Sequence, residues 1–341
     1  MTNYFELSPS RQQTIITQTS IQLGITPQAI EKDLWVTTLL QIVFTLPFSK
    51  HVVFKGGTSL SKVYGLINRF SEDIDLAIDR VQFGLDGDLT KKQIKKLRKA
   101  SSLFVRDEFA DELRRNIDNY GLSNLCQVIP EPDGEGDDTY PEPRKIHIVY
   151  NSLFQKDPYL ESEVLLEIGA RSLFEPTQST EVKSLVSSQF EQVNTSIVSP
   201  SITTSVPEKT FLEKAFLLHE LFSTERGRQA ERKSRHLYDL ERMMDLPFAK
   251  DAIRDDELWN SIAHHREIFT SMSGVDYTPD IRRRIQLIPP ASILASWEKD
   301  YRDMQVSMIY GESLSFESLL ERMKELEDRF HAKINIAGHI A

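Results

Sequence analysis

The chain holds a single cysteine, Cys126, among 341 residues. It permits neither an internal disulfide nor a cysteine-rich zinc site, and a reducing cytoplasm is its natural compartment. Long uncharged apolar runs are missing, and mean hydropathy is -0.36. Both facts read against a membrane span. The first residues, MTNYFELSPSRQQ, carry no basic stretch followed by an apolar one, so no signal peptide is expected. Positive charge is also short, since 41 Lys and Arg against 51 Asp and Glu leave a net charge of -10. That disfavours a binder of nucleic acid over the whole surface, because phosphate contacts need cations. A local basic patch, or a metal site built from acids, remains compatible. No internal repeat and no extended heptad pattern is present.

What is there is ordinary for a globular protein: 40% hydrophobic and 27% charged residues. The length suggests about two domains. Residues 8–46 read as two helices, the first stopping at Gly24 and the second starting at Thr26 with Pro27 in its first turn. VVF (52–54) is a short strand leading into Gly56-Gly57, SLSKVYGLI a short helix, and DIDLAID (73–79) a second strand. TKKQIKKLRKASSLFVRDEFADELRRNIDNYG predicts a long amphipathic helix with a basic start. The acidic stretch 130–143 reads as a mobile loop, and KIHIVY (145–150) and EVLLEIGAR (163–171) as strands. Residues 172–207 lack a helical period and read as a crossover and domain boundary. Almost everything after Glu208 is helical in pattern, including ERKSRHLYDLERMM. The order α, then mixed, then all α predicts an α+β fold with a helical second part.

Strand side chains alternate faces with period two. Asp73, Asp75, Ala77 and Asp79 then share one face, and Ile74, Leu76 and Ile78 pack on the core. Two carboxylates so placed repel unless a cation lies between them. Mg²⁺, or Mn²⁺ in its place, binds through one or two carboxylates plus substrate phosphates. Upstream, Gly56 and Gly57 permit close backbone approach to a ligand. Thr58, Ser59, Ser61 and Lys62 offer hydroxyls and a cation to phosphate oxygens. The spacing is not that of a P-loop. A third acid is expected on a neighbouring strand, and Glu167, within V164-L-L-E-I-G169, is the candidate: a charge in an apolar run is costly unless paired or bound to metal.

KGGTSLSK, RFSEDIDLAI, LLEIGAR, FLEKAFLLHEL and RHLYDLERM together resemble the AbiEii/MenT nucleotidyltransferase toxins of bacterial type IV toxin–antitoxin and abortive-infection systems, within the DNA polymerase beta-like superfamily. EKDLWVTTLL also looks like the family's N-terminal helix. The resemblance implies a polymerase-beta-like nucleotidyltransferase domain with N-terminal helices over 1–200, and a helical domain over 201–341 that contributes to the active-site cleft. It places Gly57 and Ser59 in the nucleotide-binding turn and metal on Asp73 and Asp75. Lys214 and Asp239 match the family's later essential Lys and Asp. Ser71 matches a serine modified in some silenced relatives.

Read from spacing alone, Lys214 has Phe211, Leu217 and Leu218 as helical neighbours. It is either a surface lysine whose stem covers apolar residues or a lysine projecting into the cleft. Asp239 is either an ordinary helical ion pair with Arg235 or Arg242 or an acid that orients Lys214 or hydrogen-bonds the nucleotide. Arg228, Arg232, Lys233 and Arg235 lie in the densest basic stretch of the second half, a solvated face or an RNA footprint.

The expected activity is transfer of a nucleoside monophosphate from an NTP to a hydroxyl. Mg²⁺ on Asp73 and Asp75 assists it, Glu167 completes the metal site or acts as base, and Lys62 and Lys214 offset charge. By resemblance the acceptor is the 3′ end of tRNA, whose modification blocks translation, and a cognate antitoxin encoded by a neighbouring gene relieves the arrest. Two alternatives are transfer to a protein hydroxyl and a non-catalytic, nucleotide-binding or partner-binding role.

Overall fold

The computed structural model describes residues 2–71, 73–155, 160–194, 201–278 and 280–332. The chain divides into two compact units, one made of Met1–Gly65 and Phe70–Ser205, the other of Leu66–Arg69 and Val206–Ala341.

The first unit runs β1 (Thr2–Asn3), α1 (Pro9–Leu23), α2 (Pro27–Val43), β2 (Val52–Lys55), α3 (Gly56–Lys62), β3 (Ile74–Ile78), α4 (Lys91–Phe104), α5 (Ala110–Asn119), β4 (Cys126–Pro130), β5 (Arg144–Tyr150), β6 (Glu163–Gly169), β7 (Thr177–Thr180), α6 (Leu185–Gln189), β8 (Val193–Asn194) and β9 (Ile202–Ser205). Seven strands form one mixed sheet in the order β4-β5-β6-β3-β2-β9-β7. The pairs β2–β9 and β3–β6 are parallel and the rest antiparallel.

Helix α1 stops at Gly24, whose φ of 66° few other residues tolerate. Helix α2 starts where Thr26 accepts a hydrogen bond from the Ala29 amide. It is buried on nearly every side, and Ile30, Leu39, Leu40, Ile42 and Val43 are wholly enclosed. Each such side chain contributes about 1.5–3 kcal/mol. Trp35 of α2 stacks on Tyr150 of β5 with centroids 5.2 Å apart, so α2 covers the face that also carries Ile146 and Ile148. Ile74, Leu76 and Ile78 of β3 are buried, as the period-two reading requires. Asp75, Glu163, Leu165, Glu167, Lys145 and His147 alternate with buried neighbours and are only half-buried.

Four expectations need correcting. The crossover 172–207 contains two strands of the main sheet, and β9 lies between β2 and β7. Its Thr204 is fully buried, with its hydroxyl donated to the Phe54 carbonyl at 2.9 Å, so a short hydroxyl-rich strand sits where alternation predicts none. The acidic loop 130–143 is tied down rather than loose: Asp133 binds Arg144 and Arg106, both at 2.6 Å, and Arg98 binds Asp138 and the Tyr140 carbonyl. The long helix is interrupted by a π-helical turn, Val105–Phe109, between α4 and α5. Finally, residues 231–234 are not helical. Asp300 accepts the amides of Arg232 (2.6 Å) and Ser234 (2.9 Å), and Arg232 takes a φ of 58°.

The second unit packs α7 (Pro207–Phe222), α8 (Arg235–Met243), α9 (Pro247–Arg254), α10 (Asp256–Phe269), α11 (Leu294–Ser307) and α12 (Phe316–His331). Trp259 joins Phe216 and Phe330 at centroid distances of 4.8 and 5.3 Å in its core. The short stretch Leu66–Arg69 belongs to this unit through backbone pairing: Arg69 bridges Ile309, and the Tyr310 amide donates to the Asn68 carbonyl at 3.1 Å.

Candidate active site

The turn after β2 is shaped around an acid. Gly56 has a φ of 82°, and a β-carbon built on it would lie 2.0 Å from Asp75 Oδ2. Only glycine allows both the backbone conformation and the carboxylate's approach. The Thr58 hydroxyl donates to the Asp73 carbonyl at 2.5 Å and lies 2.9 Å from Ser71 Oγ. The Ser59 hydroxyl donates to the Gly56 carbonyl at 2.9 Å, and the Ser61 hydroxyl to that of Thr58 at 3.2 Å. Gly57 follows Gly56 in the first turn of α3. The hydroxyls expected to face a ligand thus brace the turn and the segment that leads into the acids.

Lys62 is ion-paired with Asp33 of α2, whose other oxygen accepts the Leu185 amide at 2.7 Å. The neighbouring Glu31 accepts from Ser152 and the Leu153 amide, and Lys32 donates to the Glu161 carbonyl. The run E31-K32-D33 therefore ties three other segments to one buried helix. Its charges inside an apolar pattern were the signal in the sequence that these residues have fixed partners.

Strand pairing sets the acids in a row. Lys55 of β2 is in register with Asp75 of β3, Asp75 with Glu167 of β6, and Glu167 with Lys145 of β5. Register partners share a face. Two acids thus occupy the middle of a line with a lysine at each end, and Lys145 Nζ lies 3.4 Å from Glu167 Oε1. Glu167 stands where a third acid was expected, with Lys145 as its counter-ion. Asp73 immediately precedes β3, half-buried. Asp79 turns to a different task and caps the next turn through the Val81 amide at 3.1 Å. Lys55 and Lys145 were missed because only register reveals them.

Among the described residues, no three His, Cys, Asp or Glu side chains converge to hold a metal by themselves. The donor set of Asp73 and Asp75 fits Mg²⁺, which takes one or two carboxylates and completes its shell with phosphate and water.

In the helical unit, Lys214 of α7 and Asp239 of α8 meet. Lys214 Nζ lies 2.8 Å from Asp239 Oδ2, and the two side chains are 8% and 0% exposed. Arg69 completes the cluster as a two-pronged fork: Nε to Oδ1 at 2.7 Å and Nη2 to Oδ2 at 2.8 Å. Asp239 therefore pairs with Arg69 and Lys214, not with Arg235 or Arg242. Burial alone would raise the Asp239 carboxyl, but the two cations outweigh it and hold it below its usual range. Burial pushes the Lys214 ammonium down, and the attraction of Asp239 does not fully offset that. His236 Nδ1 lies 3.4 Å from Lys214 Nζ. Burial, reinforced by Lys214, keeps this histidine neutral. Two buried cations thus share one carboxylate, and the surplus positive charge favours an anion.

The basic segment divides. The Arg228 side chain lies outside the described residues. Arg232 and Lys233 line a cleft of about 860 Å³ together with Lys299, Asp300 and Asp303. Burial and the charge of Arg226 lower the Lys233 ammonium. Arg235 is half-buried, and its charge acts on Lys214. Neither acids nor cations dominate the cleft, so it is not a plain basic footprint.

Residues 38–322 match the family model described as "Nucleotidyl transferase AbiEii toxin, Type IV TA system". The chain belongs to that family. Among solved structures it is similar to JHP933 from Helicobacter pylori, at 14% identity and a TM-score of 0.36, over 82% of this chain and 98% of that one. No curated protein sequence matches it. No helix among the described residues is long and apolar enough to cross a membrane.

Proposed function

We propose that this member of the AbiEii nucleotidyl transferase toxins moves a nucleoside monophosphate from an NTP to the 3′ end of tRNA, with Mg²⁺ held by Asp73 and Asp75. The observation that carries the reading is the seat of Asp75: its carboxylate rests against Gly56, in register with Glu167. Phosphate-binding turn and acid pair are parts of one construction. When bound, Mg²⁺ on these carboxylates supplies the positive charge that acidifies an attacking hydroxyl and stabilises departing pyrophosphate.

The chain's own residues do the rest. Thr58 fixes the backbone at Asp73, so the acid pair is held before substrate arrives. Glu167, already paired with Lys145, accepts the proton of the acceptor hydroxyl. The Arg69–Asp239–Lys214 cluster carries surplus positive charge, the sign that offsets a triphosphate. Blocking the 3′ end of tRNA stops charging, and a cognate antitoxin relieves the arrest; the type IV family to which the chain belongs supports that partner. The cytoplasm, where NTP and tRNA are found, suits the single free cysteine.

The test is incubation of the protein with each α-labelled NTP, Mg²⁺ and total RNA or total protein. Label on RNA of tRNA size, lost on addition of a chelator, is the expected result. Label confined to protein, or no label with any NTP, overturns the reading.

A further inference from the structure

Arg69 stands apart from every residue singled out in the sequence. Its guanidinium is fully enclosed, and both contacts to Asp239 are short and parallel. Such a fork is the strongest geometry available to a carboxylate and cannot be reproduced by lysine. Asp239 in turn gives Oδ2 to Lys214. His236 Nδ1 lies 3.4 Å from the same ammonium, so among the described residues Lys214 has two protein partners for its three N–H groups. Around Lys214, the charged and titratable neighbours are Asp239, Arg69, Arg235 and His236.

The chain position of Arg69 adds to this. The backbone of residues 68 and 69 is hydrogen-bonded to residues 309 and 310. Four residues later comes Asp73, whose carbonyl is gripped by Thr58. The Arg69 backbone is thus fastened within the helical unit, as its side chain is.

We propose that Arg69 is a positioning residue: it fixes the Asp239 carboxylate, and the fixed carboxylate sets the direction of the Lys214 ammonium. This rests on the transferase reading above, and it assigns no contact between Arg69 and substrate. Without the fork, Asp239 keeps its charge but swings, and Lys214 loses its direction rather than its presence. A misplacement of about 1 Å at such a group costs on the order of 100-fold in rate.

The test is a double-mutant cycle on label transfer from NTP to RNA, with kcat and KM for the NTP measured separately. The variants are Arg69→Lys, Arg69→Gln, Asp239→Asn and the Arg69→Gln/Asp239→Asn double. Thermal unfolding of each checks that it folds. Arg69→Lys is expected to fold, to lose roughly 10- to 100-fold in kcat, and to change KM less than about 3-fold. The double variant is expected to be no slower than Asp239→Asn alone, because Arg69 acts through that carboxylate. Additive losses in the cycle overturn the proposal, as does Arg69→Lys with wild-type kcat. A folded wild-type protein that transfers nothing overturns the parent reading instead, and the role of Arg69 with it. Should Arg69→Gln fail to fold, the Arg69→Lys and Asp239→Asn arms and their double decide by the same criterion.

Discussion

Replacing Gly56 with alanine separates two effects that glycines usually mix. Both Gly56 (φ 82°) and Gly24 (φ 66°) are left-handed, and both lie in the first unit. A β-carbon at Gly24 meets nothing within 4 Å, whereas at Gly56 it would stand 2.0 Å from Asp75 Oδ2. The backbone cost of alanine in this conformation is about 1–2 kcal/mol at either position. For a unit of this size that lowers the unfolding midpoint by about 2–4 °C per kcal/mol. At Gly56 the carboxylate must also retreat by roughly 1 Å to reach a tolerable contact, and such a shift at a reacting centre is worth about 100-fold in rate. Gly24→Ala should therefore be destabilised with full transferase activity. Gly56→Ala should show a comparable or larger thermal shift and a loss of about two orders of magnitude in kcat. The assay is label transfer from NTP, beside thermal unfolding of both proteins. Wild-type kcat in a folded Gly56→Ala protein would refute the claim that this turn exists to seat Asp75.

Other outcomes follow from the same geometry. Asp73→Ala and Asp75→Ala should each abolish nucleotide transfer and growth inhibition while leaving the far-ultraviolet circular dichroism unchanged; a fully toxic Asp75→Ala strain would exclude the acid pair from catalysis. Asp239→Asn should be strongly destabilising, by about 3–5 kcal/mol in denaturant unfolding, because two buried cations lose their shared charge. Glu142 is half-buried beside the Ala170 amide and Ser101, and loss of water around its carboxyl raises it from 4.5 to about 7. Between those two values the folded chain holds a proton that the unfolded chain has released. The contribution of Glu142 to stability is then fully present below about 4.5 and declines as pH rises toward about 7. Glu142→Gln should flatten that slope when unfolding free energy is measured from pH 4.5 to 7.5.

The strand–turn–helix–strand unit was legible because each step has a local cause: Gly56 at a forced turn, and Ile74, Leu76 and Ile78 alternating with acids. Lys214 and Asp239 were named through the family resemblance, whereas spacing alone left a surface role open for each. Arg69 was not legible, because its partner Asp239 lies 170 residues away and no periodicity links them. Lys55 and Lys145 became visible only through register between strands. The hydroxyls of Thr58, Ser59 and Ser61 were legible as polar groups of the turn, but their donation to the carbonyls of Asp73, Gly56 and Thr58 shows only in the structure. The basic run near Arg232 read as helix because its composition permits one, yet Asp300, from a distant helix, captures the two amides that a helix would need.

The wiring of the sheet also bears on how the protein is made. Strand β2, which ends in the glycine turn, gains its second neighbour only when β9 arrives, 150 residues after Phe54. The Arg69 fork closes later still, once Asp239 has been added. At roughly 5–20 residues per second, some ten to thirty seconds pass between synthesis of Asp73 and synthesis of Asp239. A nascent chain thus carries the glycine turn and the acids before β9 pairs with β2 and before the Arg69 fork can close.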